Sequence, residues 1–172
     1  MRSIRRAVPM MLLGLSLMCA AAPTAAARST NPPPPPTSPS PAIRLTGECL
    51  ERIAHATGAT VEDIRDRTHF TIRRIAELHH QGAPAGAIVQ AGENGKAAIN
   101  ARAAAGADRV TTEAANCLAA LQQMNAPQQF IDVINAAKSR SLDAIGRART
   151  NGREAIDRAV ARATGPASAT VE

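Results

Sequence analysis

The sequence predicts an all-α protein: an Ala-rich three-helix bundle whose helices run up, down and up. Aromatic residues make up only 1% of the 172 residues, and alanine supplies much of the 45% hydrophobic content. Alanine is the strongest helix former, whereas β-sheets draw on aromatic and β-branched residues. These two observations favour helices, and a third, the spacing of the large aliphatic residues, gives their number.

Large aliphatic residues recur every eleven residues in three separate series. The series are Ile53, Ile64 and Ile75; Ile88, Ile99, Val110 and Leu121; and Ile134, Ile145 and Ile156. Eleven residues complete about three helical turns, so residues at this spacing form a nearly straight stripe along one helix. The stripes therefore predict three amphipathic helices that share one core.

The series change phase at two chain breaks, Gln81-Gly82-Ala83-Pro84 and Asn125-Ala126-Pro127. Glycine and proline end helices, and proline is tolerated in the first turn of the next helix. The predicted helices therefore cover roughly 47–80, 85–124 and 127–163. Connections this short make neighbouring helices antiparallel.

Two cysteines of the predicted helical region, Cys49 and Cys117, have residue 83 as their midpoint, in the centre of the first break. An antiparallel hairpin that folds there places the two side chains opposite each other. We expect a disulfide between them, which an oxidising compartment favours. Two unpaired buried thiols are the alternative.

One segment of the first helix carries signals for an interruption. Residues 57–60 read Thr-Gly-Ala-Thr, and Thr60 with Asp63 resembles a capping box that opens a new helix. The sequence therefore predicts a kink near Gly58, with the first helix divided into 47–57 and 60–80.

The first 27 residues have the layout of a secretory signal peptide. Arg2, Arg5 and Arg6 precede an apolar run, and small residues up to Ala27 suit cleavage. Cleavage near Ala27 predicts a protein exported to the periplasm or the exterior. Loss of the three arginines lowers the formal net charge from +6 to +3.

The rest of the chain divides into three predicted parts: a Pro-rich spacer over 28–45, a helical domain over 46–164 and a flexible tail over 165–172. Five consecutive prolines in the spacer favour an extended polyproline II conformation, which suits a stiff connection.

The sequence carries no catalytic constellation, so we expect no enzymatic activity, no cofactor and no metal site. Ser139 and Ser141 lack a nucleophile-elbow context, and no glycine-rich phosphate loop is present. His55, His69 and His80 lie 14 and 11 residues apart on the first helix, too far for one metal ion.

The third helix is the most basic segment of the chain. We expect Arg147, Arg153 and Arg158 to be the residues that would contact an anionic polymer or a lipid surface. A solvated face with local ion pairs such as Glu154–Arg158 is the alternative. The small net charge and the predicted export argue against DNA as a partner.

The segment from Gly47 to Ala54, continued by Gly58 to Ile64, is similar to the helical half of a LysM module. That resemblance covers about twenty residues and implies peptidoglycan binding.

Together these features predict an exported, disulfide-linked helical bundle with a structural or interaction role at the cell envelope and an unknown partner. The alternative is an amphipathic lipid-surface protein whose stripes lie flat on a membrane. It resembles apolipoprotein-like and desiccation-protection repeats in its eleven-residue period.

Overall fold

The computed structural model describes residues 40–165. The predicted signal peptide, most of the predicted spacer and the tail beyond Gly165 lie outside the described residues. Within 40–165 the chain forms three helices and no strand: α1 (Pro41–His80), α2 (Ala85–Gln123) and α3 (Gln128–Thr164). Each helix contacts the other two. The predicted all-α three-helix bundle is confirmed.

The first helix begins earlier than predicted, at Pro41, inside the range expected to be spacer. Proline fits the first turn of a helix, where its missing N–H has no partner to lose. The N–H of Ile43 donates to Oγ of Ser40 at 3.4 Å, which caps the helix. Leu45 and Thr46 already pack against or within the core, so burial supports the helix from its second turn.

The predicted division of the first helix at Gly58 is wrong, because α1 continues without a break from Pro41 to His80. Thr60 does not cap a new helix: its Oγ1 donates to the carbonyl of Ala56 at 2.8 Å, inside the existing one. Threonine commonly satisfies its hydroxyl in this way within a helix. Tertiary packing therefore overrides the local break signal.

The two connections, 81–84 and 124–127, share one conformation. Gly82 and Asn125 adopt positive φ angles of 69° and 50°. The next residue of each connection donates its N–H to the carbonyl five residues earlier at 3.0 Å. This is a Schellman ending, and in both cases the N-cap residue of the next helix is a proline. The connections reverse the chain twice, which makes α1 and α3 parallel.

The eleven-residue stripes form the centre of the bundle. All ten predicted stripe residues are buried, each with at most 2% of its surface exposed. Burial of an aliphatic side chain of this size stabilises a fold by about 1.5–3 kcal/mol. The stripes are therefore the core and face one another.

A second eleven-residue series lies along the seam between α1 and α2, where small residues meet in three pairs that we call rungs. The rungs are Thr71 with Gly95, Thr60 with Gly106, and Cys49 with Cys117. Residue 83, in the first connection, is the midpoint of each pair. The disulfide therefore occupies the place that a threonine–glycine contact occupies in the other two rungs.

The glycines of the rungs allow a close approach of the two helices. A Cβ on Gly106 would lie 2.7 Å from Cβ of Thr60, and one on Gly95 would lie 2.9 Å from Cβ of Thr71. Both distances are shorter than real Cβ contacts. The threonines remain satisfied despite their burial, since each hydroxyl donates to the carbonyl four residues earlier at 2.8–2.9 Å.

The third helix uses the same device. A Cβ on Gly152 of α3 would lie 2.7 Å from Oγ1 of Thr68 in α1. A Cβ on Gly92 of α2 would lie 2.6 Å from Cγ2 of Val160 in α3. All three seams therefore contain a glycine that accepts a β-branched side chain from the opposite helix.

Replacing Gly106 with alanine is expected to destabilise the bundle, although alanine is the better helix former, because the new Cβ overlaps Thr60. We expect the free energy of unfolding to fall by about 1–3 kcal/mol in urea titrations. Gly58→Ala is the matched control, since nothing lies within 4 Å of a Cβ there. It should raise the free energy of unfolding by about 0.5–1 kcal/mol. Equal effects at the two sites would contradict the close approach.

The rung register also predicts where the crosslink can be moved. Removing it with Cys49→Ala/Cys117→Ala should cost about 4 kcal/mol of stability on the chain-entropy model. In that background, Thr60→Cys/Gly106→Cys is expected to form a disulfide, because these residues form the next rung. The two helices must separate there by about 1 Å, since the Cβ atoms would otherwise lie 2.7 Å apart and a disulfide holds them about 3.8 Å apart. Thr60→Cys/Val110→Cys, one turn out of register, should keep two free thiols. Non-reducing peptide mass mapping distinguishes the two variants, and a crosslink in the second alone would overturn the register.

Candidate interaction surface

The predicted disulfide between Cys49 and Cys117 is present, with the two Cα atoms 5.9 Å apart and both residues fully buried. The guanidinium of Arg52 covers it: Nη2 lies 3.4 Å from Sγ of Cys49 and 3.6 Å from Sγ of Cys117. Nη1 of the same residue lies 3.9 Å from Oε2 of Glu113. The crosslink is thus a packed part of the α1–α2 seam, and it is compatible with an oxidising compartment.

Residues 40–165 show neither a cluster of metal ligands nor a membrane-spanning helix. No group of three or more His, Cys, Asp and Glu side chains in this range converges as metal ligands would. None of the three described helices contains an apolar stretch long enough to cross a bilayer.

The LysM resemblance does not extend to the fold. Residues 47–64, which would form two helices in that module, lie in one continuous helix. No strand is present among the residues that the structure describes, although the module requires one after its helices.

The net positive charge of the bundle lies on its third helix. Over its length α3 carries seven Lys and Arg against four Asp and Glu, whereas α1 and α2 each carry equal numbers of the two. An anionic partner is therefore attracted most strongly to the surfaces that include α3.

The three predicted contact arginines of α3 do not share one face. Arg147 and Arg158 are eleven residues apart and lie on the same side of the helix. Arg153 is six residues from Arg147 and projects about 120° away around the helix axis. Nη1 of Arg158 also lies 3.7 Å from Oε2 of Glu154, as expected for a local ion pair.

Ion pairs cross two of the three seams in the described bundle. They are Arg102–Asp63 at 2.6 Å and Arg52–Glu113 at 3.9 Å between α1 and α2, and Lys96–Asp157 at 2.7 Å between α2 and α3. None of the ion pairs formed within residues 40–165 joins α1 to α3. Within the described bundle, the α1–α3 seam is thus the one without an ion pair between its two helices.

A shallow groove follows this seam. It consists of two adjoining hollows that share Ile72, and its walls are residues 61–80 of α1 and 148–163 of α3. We call it the α1/α3 groove. Its floor is apolar, with half-buried Val61 and Ile72 on one side and the small residues Ala155 and Ala163 on the other.

The titratable side chains that line the α1/α3 groove are all basic: Arg65, His69, His79, His80 and Arg162. No Asp or Glu is among the lining residues that the structure describes. The carboxylates closest in sequence to Arg65, those of Asp63 and Asp66, line a hollow on the α1–α2 side. The sequence pointed to α3 alone and did not identify Arg65, His69 or Arg162 as parts of one surface.

Lys96 shows how the neighbouring α2–α3 seam is neutralised. Its Nζ lies 2.7 Å from Oδ1 of Asp157 and 2.8 Å from Oε1 of Glu93. These hydrogen bonds, the one to Asp157 first, raise the pKa of Lys96 above its ordinary value. The ammonium group is thus held by one carboxylate of α3 and one of its own helix.

Replacing Lys96 with methionine removes this charge and keeps most of the aliphatic stem. We expect a loss of roughly 0.5–1 kcal/mol in the free energy of unfolding at pH 7, since the two carboxylates are largely exposed. Because the folded-state pKa is raised, the contribution is complete below the unfolded-state value of about 10.4 and is lost as the pH rises beyond it. Denaturant titrations should therefore show a smaller difference between wild type and variant at pH 11 than at pH 7. Lys138→Met, at a half-buried lysine of α3, is the control, and an equal loss there would contradict the prediction.

No protein-family model matches this chain, and neither the curated proteins nor the solved structures include a match to it. Evidence on function therefore comes from the residues and geometry described above.

Proposed function

We propose that this protein is an exported, disulfide-linked helical bundle that serves a structural or interaction role at the cell envelope and has no catalytic activity. The observation that carries the proposal is the buried Cys49–Cys117 crosslink, which is closed within the α1–α2 seam. Such structural disulfides persist in oxidising compartments and are rare in reducing ones. The signal-peptide layout of residues 1–27 supports the same location.

The use of the polar residues supports a role in binding rather than catalysis. Buried hydroxyls such as those of Thr46, Thr60 and Thr68 donate to carbonyls of their own helix at 2.8 Å. They are therefore committed to the fold, whereas a nucleophile needs a base within hydrogen-bond reach. The charged residues lie on the surface, where they can meet a partner.

The lipid-surface role requires a different state of the chain. The eleven-residue stripes that would enter a membrane surface are buried in the described bundle. A chain that used them against lipid would first have to separate its helices and break the packing of all three seams.

The proposal predicts where the protein is found and in which redox state. Fractionation of the native host should recover it outside the cytoplasm, with an N-terminus near residue 28 and with Cys49 and Cys117 crosslinked on non-reducing mass mapping. A cytoplasmic protein with two free thiols would overturn the proposal. Circular dichroism gives the matched test of the lipid-surface role, since the bundle should be helical in plain buffer and gain little helix with anionic vesicles.

A further inference from the structure

We propose that the α1/α3 groove binds an acidic amphipathic helix of a partner protein, which packs against the bundle as a fourth helix. This inference rests on the proposed interaction role and names the surface and the partner chemistry. Three features of the described residues lead to it: the uncompensated charge of the groove, the composition of its floor and its length.

The charge of the groove selects an anionic partner. Arg65 lies on the α1 wall and Arg162 on the α3 wall, and neither forms an ion pair with another residue of the described bundle. His69 and Asn151 add hydrogen-bonding groups between them. Cross-helix ion pairs neutralise charge at the other two seams. The carboxylates of a partner protein therefore find unpaired cations at the α1/α3 groove. Complementary charge across an interface gives specificity and speeds association.

The floor of the groove selects a partner with an apolar side. Val61 and Ile72 are only partly buried and line the groove, where Ala148, Ala155 and Ala163 leave room above them. A helix that places an apolar residue at every third or fourth position could cover this floor while its flanking residues reach both walls. Small residues at such a contact let two helices approach closely.

The length of the groove also suits a helix. Its α1 wall runs from residue 61 to residue 80, a rise of about 28 Å at 1.5 Å per residue. A partner helix of about twenty residues spans this distance. Four-helix bundles are formed by packing of this kind.

Other occupants fit the groove less well. A linear polyanion would use the cationic walls but would leave the apolar floor uncovered. The described helices of a second copy offer no acidic amphipathic face, because their apolar stripes are buried and none of them carries an excess of acidic residues. The exposed large hydrophobic residues of the described bundle are scattered over three helices and one connection, so they form no single apolar face that could enter the groove.

The test uses a synthetic 22-residue helical peptide with Leu and Ala on one face and Glu beside them, titrated into the purified disulfide-intact protein. We expect saturable binding by fluorescence anisotropy, with NMR shift changes confined to the groove. Arg65→Glu/Arg162→Glu should weaken binding roughly tenfold or more. Arg109→Glu/Arg149→Glu changes the net charge of the bundle by the same amount at exposed positions that do not line the groove, and it should weaken binding no more than about twofold.

Each alternative occupant has its own outcome. Equal losses in the two double variants would show general charge attraction and overturn the groove. A peptide with the same glutamates but serine in place of leucine should bind roughly tenfold more weakly; equal binding would identify a linear polyanion site instead. Binding to anionic vesicles but not to the peptide, or concentration-dependent dimerisation in sedimentation experiments, would also overturn the proposal.

The two proposals fail separately. The binding assay uses purified protein, so a negative result leaves the location found by fractionation unchanged. A cytoplasmic location would refute the envelope role while the peptide titration could still succeed.

Discussion

The contact between the threonines of α1 and the glycines of α2 fixes how closely these helices approach, and it recurs every eleven residues along the seam. Thr60 meets Gly106 and Thr71 meets Gly95, with each hydroxyl bonded inside its own helix. At this spacing the aliphatic stripes of the two helices interlock, and the disulfide closes the end of the seam remote from the connection. An Ala-rich chain has few large side chains with which to fill a core. A dense core therefore requires the helix axes to lie close together.

The sequence is sufficient to predict the helices and the crosslink because both follow from spacing along the chain. Breaks containing glycine, asparagine and proline mark the connections, and the midpoint of Cys49 and Cys117 falls in the first of them. The predicted division near Gly58 is wrong because Thr60 packs against Gly106 and bonds within its own helix, so it does not cap a new one. Thr60 follows Cys49 by eleven residues and Gly106 precedes Cys117 by eleven, and this shared spacing is the sequence signal for the rungs.

The candidate surface could be predicted only in part. A count of charges along the chain shows that α3 is basic, but it does not show which side of α1 meets α3. Two mirror arrangements of a three-helix bundle satisfy the same hydrophobic pattern, and they bring different faces of α1 to that seam. The presence of Arg65 and Arg162 in the same groove therefore depends on the handedness of the bundle. Arg153 and Arg147 point to different sides of α3 for another reason, the helical period, because six residues rotate a side chain by about 120° around the axis.

The matching period of stripes and rungs has a consequence for how such a bundle can change its size. One repeat of eleven residues returns each helix to nearly the same orientation after a rise of about 16.5 Å. A length change that adds one repeat to each helix would thus extend the rod by a whole layer and keep every contact type, whereas an insertion of one or two residues would rotate a stripe out of the core. The length of the bundle, and with it its stability, can therefore change in steps of three helical turns without a change of fold.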